Sequence, residues 1–237
     1  MKIVLTNDDG IDAPGIRILS QCLETFADIV IIAPAVEQSG VGHRTTARSP
    51  IPVKAVGQNL YRVEGTPADC SRIALKHIAT DADWLIAGIN LGANLGSDVY
   101  KSGTVAAARE AALLGYRAIA ISQYIGSNHK IDWNFTRYHS GEVLRYLLDK
   151  SLTSGHFWNV NLPSPQEAVG NLEHKFCNLD TNSYKFTYRI EGDNYIYEGN
   201  IHDRPQHPER DVAICFGGQI SITRIALDTT ETKEDTS

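Results

Sequence analysis

Lys2-Ile3-Val4-Leu5-Thr6-Asn7-Asp8-Asp9-Gly10 passes from a short apolar, β-branched run straight into four polar or turn-forming residues. The run lacks period-two alternation, so both of its faces are expected to be buried, as in a strand inside a parallel sheet. Pro14 then opens a helix pattern in which Ile16, Leu19, Leu23 and Phe26 share one face. Ile29-Val30-Ile31-Ile32-Ala33 repeats the strand pattern and stops at Pro34. The alternation continues with a predicted helix over 68–79, a strand at Trp84-Leu85-Ile86-Ala87 and an Ala-rich helix over 104–114. A strand at Ala118-Ile119-Ala120-Ile121, an amphipathic helix over 132–150 and a strand at Phe157-Trp158-Asn159-Val160-Asn161 follow. Apolar strands separated by helices predict an α/β, Rossmann-like, doubly wound and mostly parallel sheet.

After Pro165 the texture changes. Tyr184–Ile190 and Tyr195–Glu198 alternate apolar and polar residues around Glu191-Gly192-Asp193-Asn194, which predicts a hairpin solvated on one face. A last strand is expected over 219–225, before the tail DTTETKEDTS, whose acidic and Thr-rich composition predicts disorder. The organisation expected is a core over 1–165, a hairpin and C-terminal extension over 166–227 packed on it, and a tail over 228–237.

The 237 residues carry 22 Lys+Arg against 28 Asp+Glu, a formal net charge of −6. That balance argues against a duplex nucleic-acid binder, since phosphate backbones are held by surplus cations. A small phosphorylated substrate stays open, because its few charges can be met locally. Cys22, Cys70, Cys177 and Cys215 form no C-x-x-C pair, so neither a zinc knuckle nor a redox motif is offered. The apolar run after Lys2 is too short for a signal-peptide core, and no run approaches membrane-spanning length. A reduced, cytoplasmic protein that does not enter a membrane is the expectation.

Doubly wound sheets bind ligands beyond the carboxyl ends of their strands. The first strand delivers Asn7, Asp8 and Asp9; the second delivers Ser39 and Gly40; the strand at Trp84 delivers Asn90 within Gly88-Ile89-Asn90-Leu91-Gly92-Ala93-Asn94-Leu95-Gly96. Carboxylates, a hydroxyl and amides suit a hard divalent cation such as Mg²⁺ or Mn²⁺. Asp-Asp-Gly is also a common turn sequence, Ser39 reads equally as a loop hydroxyl, and Asn90 as a left-handed turn residue. What favours a site is position, since a plain turn has no use for two crowded like charges at a buried strand end.

Tyr100-Lys101-Ser102-Gly103-Thr104-Val105-Ala106 runs into the Ala-rich helix. A small, polar helix start presents free N–H groups and the positive end of the helix dipole, which suits phosphate. It is not a P-loop, because Leu95 and Tyr100 stand at both glycine positions, and the Gly88, Gly92, Gly96 spacing is not a dinucleotide fingerprint. No histidine pair or G-x-S-x-G is present, and His43, beside Arg44, is expected to be an exposed loop histidine.

Taken in order, these blocks resemble a known family. Asn7-Asp8-Asp9-Gly10 with Ala13-Pro14-Gly15-Ile16, Ala33-Pro34 with Ser39-Gly40, and Gly65-Thr66-Pro67-Ala68-Asp69-Cys70 are similar to blocks of the SurE family of survival proteins. So are Gly88-Ile89-Asn90 with Gly92, Asn94 and Gly96, then Ser102–Ala108 and Asn159-Val160-Asn161-Leu162-Pro163. The family comprises metal-dependent 5'/3'-nucleotidases. The resemblance implies a projecting hairpin and a C-terminal dimerisation extension exchanged between subunits, hence a homodimer or homotetramer. It implies hydrolysis of nucleoside monophosphates with one Mg²⁺ or Mn²⁺, and in some members the trimming of short polyphosphate. Residue by residue, it implies Asp8, Asp9, Ser39 and Asn90 as metal ligands, with Asp8 and Asp9 catalytic. It implies Asn94 and Ser102-Gly103-Thr104 as phosphate contacts; Lys101, standing where the family usually has Tyr, would add a cation beside them. A phosphatase or polyphosphatase for another substrate, or a silent nucleotide-binding protein, are the alternatives.

Overall fold

The computed structural model describes residues 1–127, 130–168, 170–183, 186–199 and 201–230. Tyr184, the start of the expected hairpin, and residues 231–237 of the acidic tail lie outside the described residues.

The strands are β1 (Lys2–Thr6), β2 (Asp28–Pro34), β3 (Val53–Gly57), β4 (Leu60–Val63), β5 (Trp84–Leu91), β6 (Arg117–Gln123), β7 (His156–Leu162) and β8 (His174–Phe176). A hairpin of β9 (Tyr188–Glu191) and β10 (Asn194–Tyr197) comes next, and β11 (Ile220–Ala226) is last. The helices are α1 (Pro14–Leu23), α2 (Pro67–Ile73), α3 (Gly103–Leu113), α4 (Trp133–Leu148) and α5 (Asp211–Phe216).

Among the described residues nine strands form one sheet in the order β3-β4-β2-β1-β5-β6-β7-β11-β8, and β9 and β10 pair separately. From β4 to β7 all neighbours are parallel; β3 joins β4, and β11 joins β7, antiparallel. The expected α/β sheet is therefore the observed one. Successive side chains of a strand point to opposite faces, and β1 shows the result. Ile3 and Leu5 enter a core with Ile16 and Leu19 of α1 and Leu144 and Leu147 of α4. Val4 enters the opposite core with Leu75, Val105 and Phe157. Each such side chain, fully buried, contributes about 1.5–3 kcal/mol, and two cores explain why the run cannot alternate.

The winding matters for function. From β1 the chain moves to β2 on one side, whereas β5 flanks β1 on the other. The strand order reverses there, opening a crevice beyond the carboxyl ends of β1 and β5.

Some expectations shift. Phe26 falls beyond α1 and is 37% exposed rather than on its buried face. The helix expected over 68–79 stays α-helical only to Ile73 and continues as a π turn over Ala74–Ile78. β5 runs on through Leu91, with its register shifting between Ala87 and Asn90. Gly88 makes that extension possible: its φ is +143°, and a Cβ there would lie 2.3 Å from the Ile121 carbonyl oxygen.

Candidate active site

Asp8 leaves β1 into the crevice and is almost fully buried. It lies against the first turn of α3, where the Thr104 hydroxyl donates to Asp8 Oδ1. Gly103 allows that approach, since a Cβ there would sit 2.9 Å from both Cβ and Oδ2 of Asp8. A side chain at 103 would push the carboxylate off the helix N-terminus. The Gln38 N–H donates to the Asp8 carbonyl oxygen at 2.7 Å, tying the loop after β2 to the same point.

Both aspartates hold their protons more tightly than usual. Burial raises the Asp8 carboxyl most, with Glu37 adding to it, and the Thr104 hydroxyl and nearby amides offset only part. Burial also lifts Asp9, to about 6, with the Asp8 charge second. For both carboxylates the burial effect outweighs the hydrogen bonds that oppose it. Two adjacent desolvated acids are what a bound divalent ion corrects.

Ser39 is exposed on the loop after β2 and donates to Glu37 Oε1 at 2.7 Å, which leaves its oxygen lone pairs for a ligand. Asn90 Nδ2 donates to the Gly92 carbonyl at 2.6 Å, turning the amide so that Oδ1 remains the end to offer. Two carboxylates, one hydroxyl and one amide oxygen are the donors a hard cation prefers. Among the described residues no three His, Cys, Asp or Glu side chains converge on a point, so any cation here takes neutral oxygens as well. The donor set fits Mg²⁺ or Mn²⁺ and fits zinc poorly.

Asp8, Ser39, Asn90, Asn94, Lys101 and Ser102 line one cavity of about 340 Å³. The structure thus gathers residues from three strand ends and one helix start. Asp9 instead lines an adjoining cavity of about 410 Å³, which shares Ser39 and Leu91 with the first. Gly103 and Thr104 stand behind Asp8. Ser102 caps α3 by accepting from the Val105 N–H at 3.1 Å, leaving the Gly103 and Thr104 amides without helical acceptors.

Asn94 is held from several sides. Its N–H donates to Asn161 Oδ1 (2.7 Å), its Nδ2 to Ser122 Oγ (2.8 Å), and its carbonyl accepts from Asn159 and Asn161. Its Nδ2 carries a second hydrogen beyond the one given to Ser122, and the residue lines the cavity. Lys101 Nζ sits 4.8 Å from the centre of the Phe186 ring.

Sequence reasoning missed Glu37, Asp98 and Arg204. Glu37 lies two residues before Ser39 at a strand end, where the same rule could have found it. Arg204 is buried on the cavity wall, donating to both oxygens of Asp98 (2.8 and 3.1 Å) and to the Leu95 carbonyl. Nothing local in its sequence announces that reach across a hundred residues. Asp211 adds a second tie, accepting from the Gly96 and Asp180 N–H groups at 2.7 Å each.

His43, expected to be exposed, is only partly so and does not face the aspartates. Its Nε2 lies 2.7 Å from Glu110 Oε2, while Arg72 holds Oε1 of the same carboxylate. The buried glutamate captures the imidazole, so the residue anchors the loop instead.

A family model described as Survival protein SurE matches residues 3–186. A Synechocystis sp. protein is 44% identical over 227 residues, covering 96% of this chain and 100% of its own. The 5'-nucleotidase SurE of Paramagnetospirillum magneticum is 37% identical over 238 residues, covering 97% of this chain and 91% of its own. Among solved structures, the SurE protein from Aquifex aeolicus aligns with a TM-score of 0.85 at 28% identity, covering 98% of this chain and 95% of that one.

Proposed function

Because the chain belongs to the SurE family of survival proteins, we propose that it is a divalent-metal-dependent phosphomonoesterase. Its substrates are nucleoside 5'-monophosphates, and 3'-monophosphates as well, cleaved to nucleoside and phosphate. The observation that carries this reading is the pair of proton-retaining carboxylates at the strand-order switch, Asp9 half-buried and Asp8 buried against a helix N-terminus.

Asp8, Asp9, Ser39 and Asn90 would hold one Mg²⁺ or Mn²⁺. When bound, such an ion polarises a phosphoryl oxygen and lowers the pKa of water. The Gly103 amide, the Ser102 hydroxyl and the second Asn94 amide hydrogen bind the phosphate oxygens, with Thr104 completing the helix start behind Asp8. Lys101 offsets negative charge on them. Thr104 holds Asp8 in one orientation through both its hydroxyl and its backbone N–H. Asp8 and Asp9 are the groups placed to take a proton or to attack phosphorus.

Residues 166–227 serve as a dimerisation extension of a homodimer or homotetramer. The exposed Phe186, Tyr188, Ile190 and Tyr195 on and beside the hairpin support that reading. A cytoplasmic setting agrees with four free cysteines, and no described helix is long and apolar enough to cross a membrane.

Purified protein incubated with AMP and Mn²⁺ should release inorganic phosphate, and excess EDTA should stop it. No release with Mn²⁺, or equal release with EDTA, overturns the reading.

A further inference from the structure

We propose that the 410 Å³ cavity beside the phosphate cavity is the nucleoside subsite, with Trp133 as the surface on which the base stacks. The inference rests on the phosphomonoesterase reading and names the part of the substrate that reading leaves unplaced.

Two kinds of group face this cavity. Pro14, Leu91 and Trp133 supply an apolar and aromatic wall, and Asp9 and Glu37 supply carboxylates. A nucleoside presents the complement, a planar base that stacks on an indole and ribose hydroxyls that donate to carboxylates. A phosphate would be repelled by Glu37, which is not among the proposed metal ligands, so the ester has one favourable direction. Its phosphate lies on the Ser102 side and its nucleoside on the Trp133 side, with Ser39 and Leu91 at the junction.

Leu91 is 48% exposed at the end of an otherwise buried strand, and a bound base would cover it. Trp133 is the first residue of α4, directly after Asp132, whose carboxylate accepts from the Asn134 and Phe135 N–H groups. That cap fixes the backbone from which the indole projects. Another cavity, about 430 Å³ behind the loop after β2, is lined by Arg44 and Glu64 but by no aromatic side chain, and it shares no lining residue with the phosphate cavity.

The test compares AMP with ribose 5-phosphate, which lacks only the base. In Trp133→Ala the ratio of kcat/KM for AMP to that for ribose 5-phosphate should fall about tenfold, the loss of one stacking contact. Trp133→Phe should keep most of the preference. An unchanged ratio in Trp133→Ala overturns the proposal. A second measurement needs no turnover. Trp84 and Trp158 are buried at 0% and 5% exposure, so adenosine should quench the fluorescence of Trp133 alone. No quench at millimolar adenosine, or an equal quench in Trp133→Phe, also overturns it. If neither AMP nor ribose 5-phosphate is hydrolysed yet adenosine still quenches, the enzymatic reading falls and the subsite stands.

Discussion

Two pairs of carboxylates bear on the loop after β2 or the crevice beside it, all buried except the half-buried Asp9, and the protein treats them in opposite ways. Asp69 is surrounded by donors: the Thr46 N–H and hydroxyl at 2.8 Å each, and the Thr66 N–H at 3.0 Å. Glu110 is gripped by His43 and Arg72. Burial raises both acids, but the donors win and each loses its proton more readily than usual. At Asp8 and Asp9 burial wins. The first pair is completed by its own chain and clamps the loop from behind. The second keeps its raised affinity for protons, on the side that lines the two crevice cavities. A carboxylate whose burial its own protein does not offset is a place where something else belongs.

The sharpest way to break this contrast is to neutralise the second pair. Asp8→Asn or Asp9→Asn should lower metal-dependent phosphate release from AMP by on the order of a thousandfold, with the urea midpoint unchanged or raised. Turnover within tenfold of wild type in either variant would show that the pair is merely structural. Truncating the first pair should do the reverse. Asp69→Ala or Glu110→Ala should cost about 2–4 kcal/mol in urea unfolding, because buried donors lose their acceptor, with a smaller fall in activity per folded molecule. A stability loss under about 0.5 kcal/mol would dissolve the distinction.

Smaller effects sharpen it. Thr104→Val removes the hydroxyl that orients Asp8 and should lower kcat/KM about tenfold, the value of one hydrogen bond near 1.4 kcal/mol. The mildest effect is on the pH dependence of folding. Asp9 has a raised pKa when folded, so its favourable contribution is complete below 3.8 and lost as pH rises through about 6. In EDTA, Asp9→Asn should therefore gain on wild type in Tm between pH 5 and 8. Glu110, held low, runs the other way and loses its contribution only as pH falls below its ordinary 4.5. A flat Tm difference between wild type and Asp9→Asn across that range contradicts the burial of Asp9.

The parallel half of the sheet was legible because its strands are buried on both faces and read as unbroken apolar runs. β3 was not, since all of Val53–Gly57 is exposed and carries no burial pattern. β8, with three residues, and α5, with six, are too short to show a period. Asp8, Ser39 and Asn90 were found by one rule, the polar residue after a strand, and the structure brings these three to one cavity. That rule does not say which side of the crevice a residue faces, so it could not separate Asp9 from Asp8. Arg204 and Asp211 lay beyond its reach, because their partners near Gly96 are more than a hundred positions away.

Those two distant ties also bear on how the molecule is made. A ribosome that has released the first 165 residues has delivered every proposed metal and phosphate contact, yet neither Arg204 nor Asp211. The turn over Gly96–Tyr100, which leads into Lys101 and Ser102, is then missing its clamps. Contacts that span so much chain close late in folding. The proposed catalytic groups are therefore present early in synthesis but without these clamps, and hydrolysis should begin only once residue 211 has cleared the exit tunnel.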